Sequence, residues 1–259
     1  MTLKLPTSII PASSNITNSS ILIFGPDKCG KSSFAAQFPN HFMLEFNPGN
    51  ANHINRKSVD VHNWEEAIGY LRLIVENPSY CEVIIIDELQ RMYGYCYRYV
   101  RQKLKLAETE KDDFDVWRTV RNLFSETLDH IKQLNKMIII TANEDVVTAS
   151  IGGRDVNMLD INLNNQGRDV MHGYCLMRAR MECNPNGGRI LHVDGLSNVN
   201  IGHGFSDHFL WEGNRLKEID LGFSPEEAYS NFIKAYDNQL PGKTIVRTPV
   251  VAKKPTLKI

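Results

Sequence analysis

The sequence predicts an α/β fold with a mainly parallel central sheet flanked by helices, and three observations carry that prediction. Apolar runs at 21–24, 83–86 and 137–141 read as strands buried on both faces, the pattern of a parallel sheet. Between and after them lie stretches with apolar residues at helical spacing, giving the strand–helix alternation of a layered domain. Gly25-Pro26-Asp27-Lys28-Cys29-Gly30-Lys31-Ser32-Ser33 fits G-x-x-x-x-G-K-[ST] and stands between the first strand and a helix at 33–38.

The remaining elements follow in order. Residues 1–19 read as a polar leader, with Pro6, Pro11 and a Ser/Asn/Thr cluster. A second strand at 41–46 is closed by Asn47-Pro48-Gly49-Asn50, a turn signal. Trp64, Ala67, Ile68, Leu71, Ile74 and Val75 mark a helix that stops before Pro78. The run at 83–86 ends in Asp87-Glu88, and a helix is expected over 89–107, then an acidic break and a helix over 116–134. Residues 148–169 are rich in Gly and Asn with few apolar anchors and read as a long loop, a length that is usually functional. The pattern at 171–193, centred on Asn184-Pro185-Asn186-Gly187-Gly188, predicts a C-terminal β-hairpin. Ser224, Pro225 and Glu227 supply N-cap, first position and capping box for a terminal helix over 224–237. Residues 240–259 carry Lys243, Arg247, Lys253, Lys254 and Lys258 without an acid, and read as a disordered basic tail. The expected organisation is thus one domain at 20–239 between a leader and a tail.

Composition narrows the function classes. A chain of 259 residues with 42% hydrophobic and 23% charged residues suits one sizeable globular domain. No apolar run reaches the roughly 20 residues that span a bilayer, and the N-terminus lacks the layout of a secretory signal, so a cytoplasmic protein without membrane partners is expected. Cys29, Cys81, Cys96, Cys175 and Cys183 show no CxxC pairing, which speaks against a zinc site. A net charge of −1 gives no global nucleic-acid footprint, so such binding would need a local patch.

The chemistry is expected at the carboxyl ends of the strands, where ligands of open α/β sheets bind. Residues Gly25 to Ser33 would cradle phosphates on their backbone N–H groups. Lys31 would reach the β- and γ-phosphates, while Ser32 and Asp87 would hold Mg²⁺, Ser32 directly and Asp87 through shell water. Glu88 is either the base that polarises water or a carboxylate in the first helical turn, where negative charge is favoured. Thr141 and Asn143 end the next strand; Asn143 either senses the γ-phosphate or makes a turn. Glu45 and Asn47 end the second strand and can also reach the site. Arg98, Arg101 and Lys105 share a helical face beside tyrosines, which favours an amphipathic packing helix over a base-stacking surface. Arg154 and Arg168, in the Gly-rich segment, are the better nucleic-acid candidates. Arg178 and Arg180 point to one face of the hairpin, toward a neighbour's phosphate or simply to solvent.

Together, residues 20–195 resemble the RecA-like P-loop ATPases, and in particular small phage-encoded AAA-type nucleotide-binding proteins of recombination gene clusters. The resemblance rests on Gly25 to Ser33, on the strand ending at Asp87, on Thr141-Ala142-Asn143, and on the Gly-rich segment and hairpin that follow. It implies a RecA-type core with the Thr141 strand between the phosphate-loop strand and the Asp87 strand. It also implies ATP with Mg²⁺, homo-oligomeric interfaces that share ATP sites, and single-stranded DNA contacted by the segment after Asn143. Replication or recombination proteins would be partners, in the host cytoplasm if the chain is phage-encoded. Two departures matter. Asn47 stands where those relatives carry a catalytic glutamate, and Ser197 to His203 replace a basic pair that reaches a neighbour's ATP.

The expected activity is ATP hydrolysis coupled to single-stranded DNA in recombination or replication. The alternative is a nucleotide-gated interaction module that loads a helicase or annealing protein without binding DNA. A small-molecule kinase is disfavoured because no Arg-rich lid follows the core.

Overall fold

The computed structural model describes residues 16–239. Of the leader, only its last residues are therefore described, where Ile16–Asn18 form a 3-10 turn; the basic tail lies outside the described residues.

The chain runs β1 Ser20–Gly25, α1 Lys31–Ala35, β2 His41–Glu45, β3 Ser58–Asp60, α2 Trp64–Glu76, β4 Val83–Asp87, α3 Leu89–Lys103 and α4 Phe114–Lys132. It continues with β5 Met137–Ile151, β6 Arg154–Ile161, α5 Asn165–Tyr174, β7 Met177–Cys183, β8 Arg189–His192, β9 Gly202–His203, β10 Leu210–Trp211, β11 Asn214–Arg215, β12 Glu218–Gly222 and α6 Pro225–Tyr236.

The main sheet has the order β12-β8-β7-β1-β5-β4-β2-β3. From β7 to β3 every neighbour is parallel, whereas β8 and β12 add an antiparallel edge. β5 lies between β1 and β4, so the strand carrying Thr141 separates the phosphate-loop strand from the Asp87 strand, the order of a RecA-type core. Parallel neighbours need crossover helices, which cover both faces. Alternate strand residues divide between two cores. Leu22, Phe24, Ile84, Ile86, Ile138 and Ile140 pack under α2, α3, α4 and α5. Ile21, Ile23, Ile85 and Ile139 pack under α1 and α6, where Phe34, Phe38 and Phe232 meet edge to face. Full burial on both faces explains why these strands read as unbroken apolar runs.

Helix starts follow local chemistry. Asn63, Asp113 and Asn164 each accept a backbone N–H of their helix, and Ser224 with Glu227 forms a complete capping box.

The segment after Asn143 departs from expectation. It is not a loop: β5 runs on past its parallel partners to Ile151 and turns back as β6, in register from Glu144↔Ile161 to Ile151↔Arg154. Gly152 and Gly153, at φ 59° and 76°, form the two-residue turn that such a hairpin requires. Residues 165–174 are helical, so the second hairpin begins at β7 and not at Met171. α3 also ends at Lys103, which takes Lys105 off the expected basic face. Tyr93, Tyr95, Tyr97 and Tyr99 pack against the core, and Arg101 is bound to Asp112.

Candidate nucleotide-binding site

The site is built where β1, β4 and β5 end their parallel pairing. β1 delivers the chain into the loop at Gly25, whose place is fixed by a neighbour: a Cβ there would stand 2.0 Å from the Met181 carbonyl oxygen of β7. At the other end of the loop Gly30 adopts φ 102°, a conformation that favours glycine, and α1 starts immediately after it. Pro26 is half-buried, Asp27 and Lys28 are exposed, Cys29 is buried, and Ser33 lies in α1. The Lys31 side chain is only 7% exposed and folds back over the loop. Its Nζ donates to the Gly25 carbonyl at 3.0 Å and the Pro26 carbonyl at 2.7 Å. An ammonium so placed is the charge that a phosphate inside the loop would meet.

Asp87 is 1% exposed, and two hydroxyls converge on one of its oxygens. Ser32 Oγ donates to Oδ1 at 2.6 Å and Thr141 Oγ1 donates to the same atom at 2.7 Å. Burial pushes the Asp87 carboxyl above the usual carboxylate range, and these two hydrogen bonds oppose that shift. Ser32, Asp87 and Thr141 thus come together from three elements far apart in sequence.

Among the described residues, no cluster of three His, Cys, Asp or Glu side chains is placed to hold a metal unaided. The Ser32 hydroxyl and the Asp87 carboxylate, 2.6 Å apart, are the oxygen atoms at this corner that could donate to a cation.

Glu88 does not sit in the first turn of α3. It is the residue before the helix, in the left-handed region at φ 70°, and its side chain caps nothing. Its N–H donates to Thr141 Oγ1 at 3.0 Å, and its Oε2 accepts from Gln90 Nε2 at 2.5 Å. Burial first, and the Asp87 charge second, push the Glu88 carboxyl up. A carboxylate raised in this way is suited to accept a proton.

Glu45 is placed differently. It lies beside Asp87 in the sheet register, is 1% exposed, and is gripped on both oxygens by Arg56, through Nε to Oε1 and Nη2 to Oε2. Both of its oxygens are thus engaged within the chain. Asn47 sits in the following turn, where its carbonyl accepts from Asn50 N–H. Asn143 makes no turn. It stands in β5 opposite Gly25, at the point where the hairpin leaves the sheet.

The two nucleic-acid candidates are not brought together. Arg154 is exposed at the start of β6, at the far end of the hairpin. Arg168 lies on α5 and binds the Leu163 carbonyl and Asn165 Oδ1, closing its own helix start. Arg180 is likewise committed within the chain, in a bidentate pair with Glu144 and a second contact to Glu182. Arg178 donates to the His172 carbonyl.

Gln90, Arg56 and Arg189 are site neighbours that the sequence did not reveal. Arg189 lies against the phosphate loop: a Cβ on Gly30 would meet its Nε at 2.7 Å. Each acts on a residue brought near by folding or by an unusual backbone angle, so no local spacing marks them.

Among solved structures, the chain is similar to the flagellar accessory protein FlaH from Methanocaldococcus jannaschii, at 15% identity. The match covers 78% of this chain and 84% of that one, with a TM-score of 0.41. No curated protein matches the chain. A family model described as an AAA domain matches residues 17–199, spanning the phosphate loop, Asp87, Thr141 and the projecting hairpin. The chain belongs to the AAA domain family of P-loop ATPases.

Proposed function

We propose that the chain binds Mg-ATP and hydrolyses it, with Glu88 as the base and the β5–β6 hairpin as the element that meets a partner. The observation that carries the reading is the convergence of Lys31, Ser32, Asp87 and Thr141 at the ends of β1, β4 and β5. The backbone N–H groups of Gly25 to Ser33 would seat the phosphates, and Lys31 would exchange its two loop carbonyls for phosphate oxygens. Ser32 and Asp87 would hold magnesium, which when bound neutralises charge on the β- and γ-phosphates. Glu88 would accept the proton of the attacking water, because the two oxygens of Glu45 are taken by Arg56. A fluorescent ATP analogue tests the first step. Wild type should bind it in a magnesium-dependent way and Lys31→Ala should lose binding; equal affinity would refute the site.

A specific feature of the hairpin bears on the partner. Its exposed charges are Asp145, Asp155 and a lone Arg154, and Val146 is 61% exposed. Electrostatic binding of single-stranded DNA scales with the number of phosphates neutralised, about 0.7 in log–log salt slope for each one. One arginine between two acids supplies little of that. The hairpin therefore favours the reading in which the ATPase meets a protein, of the replication or recombination kind that the sequence resemblance suggests, over direct grip on DNA. A salt series of single-strand binding separates the two. Steeply salt-dependent binding that is lost with Arg154→Ala would restore the DNA reading; weak binding unchanged by that substitution supports the protein one.

A further inference from the structure

Gln90 belongs to no motif, yet its side chain hydrogen-bonds the Glu88 carboxylate. Its Nε2 donates to Glu88 Oε2 at 2.5 Å, while the Arg91 guanidinium stays 3.9 Å from that oxygen and is half exposed. Two residues apart on a helix do not face each other. The contact exists because Glu88 is left-handed at φ 70° and ψ 63°, which turns its side chain back over the first turn of α3. Several groups hold that backbone in place. Glu88 N–H is bound by Thr141 Oγ1, and Leu89 is fully buried behind it. The other arm of the Gln90 amide points to β5, where Oε1 faces Asn143 N–H at 3.4 Å. Asn143 is the last β5 residue paired with β1, and the hairpin begins beyond it.

The geometry points to Gln90 as a positioning residue for hydrolysis, holding the Glu88 carboxylate with one arm and bracing on the root of the hairpin with the other. The inference rests on Glu88 being the base. A rotamerically free glutamate would spend little time aimed at water, so one directing hydrogen bond should appear in kcat and not in nucleotide binding.

The test is a double-mutant cycle on steady-state ATP turnover, with affinity for a non-hydrolysable Mg-ATP analogue measured beside it. Glu88→Gln should lower kcat by about 100-fold, in the range for losing a general base. Gln90→Ala should lower kcat by about tenfold, with KM and analogue affinity within about twofold of wild type. In the Glu88→Gln background, Gln90→Ala should change kcat by less than about twofold, because its effect passes through the missing carboxylate. Gln90→Met keeps the bulk, removes the donor and should behave as Gln90→Ala, which covers loss of folding in the smaller variant. Arg91→Ala should leave kcat within about twofold, as an exposed pair contributes little. Unchanged or raised kcat in both Gln90 variants overturns the inference, and so do effects that multiply in the double variant. If Glu88→Gln turns over like wild type, the choice of base falls first and this inference with it.

Discussion

Thr141→Val is the most informative single change to the scaffold of the site. Valine has nearly the shape of threonine, so packing at this buried position is preserved and only the hydroxyl is lost. That hydroxyl makes a 2.7 Å hydrogen bond to Asp87 Oδ1 and accepts the Glu88 N–H at 3.0 Å. A hydrogen bond to a charged group contributes about 1.5–3 kcal/mol, and a half-buried N–H left unpaired costs about 1 kcal/mol more. The expected loss is therefore about 3 kcal/mol, or roughly 6–12 °C in Tm for a domain of this size. Urea unfolding of the magnesium-free protein measures it, and Thr141→Ser, which keeps the hydroxyl, should lose under about 1 kcal/mol. A valine variant within about 1 kcal/mol of wild type would refute the view that Thr141 joins β5 to the Asp87–Glu88 corner.

Removing Arg56 strands a buried carboxylate: Arg56→Ala should cost about 3–5 kcal/mol in urea unfolding, and replacing Glu45 and Arg56 together by methionine should cost less than the single change. Asp160 gives a pH dependence. Burial pushes its carboxyl up, but the His172 hydrogen bond and charge, with Asn200, outweigh that and leave it below the usual carboxylate range. Its folded value is thus below its unfolded one, so its stabilisation is present above the unfolded value and is lost as pH falls through the folded value. Asp160→Asn should then be less stable than wild type by roughly 1–3 kcal/mol near neutral pH, and the two melting curves should converge below about pH 4. Curves that stay parallel well below that pH would remove Asp160 as the cause.

The sheet was legible because burial on both faces leaves a mark that needs no partner: the runs containing Ile84, Ile86, Ile138 and Ile140 announce central strands. Ser224 and Glu227 announce a helix start for the same reason, since capping is local. The projecting hairpin read as a loop because its alternation is weak: Val147, Ala149, Val156 and Met158 share one face, while Val146 and Leu159 place apolar residues on the other. The signal that marks it is Gly152-Gly153 between alternating residues, a two-residue hairpin turn. In the site, the placing of Lys31, Ser32 and Asp87 together at the strand ends was legible from residue types and spacing. The placements of Glu88 and Glu45 were not. One is set by a left-handed backbone angle and the other by Arg56, and neither follows from the residues beside it in sequence.

The central claim is that Lys31 binds the nucleotide and Glu88 acts on water, and phosphate release from Mg-ATP tests both at once. Wild type should turn over, Lys31→Ala should neither bind nor turn over, and Glu88→Gln should bind normally while releasing phosphate about 100-fold more slowly. Glu88→Gln releasing phosphate as fast as wild type would contradict the account.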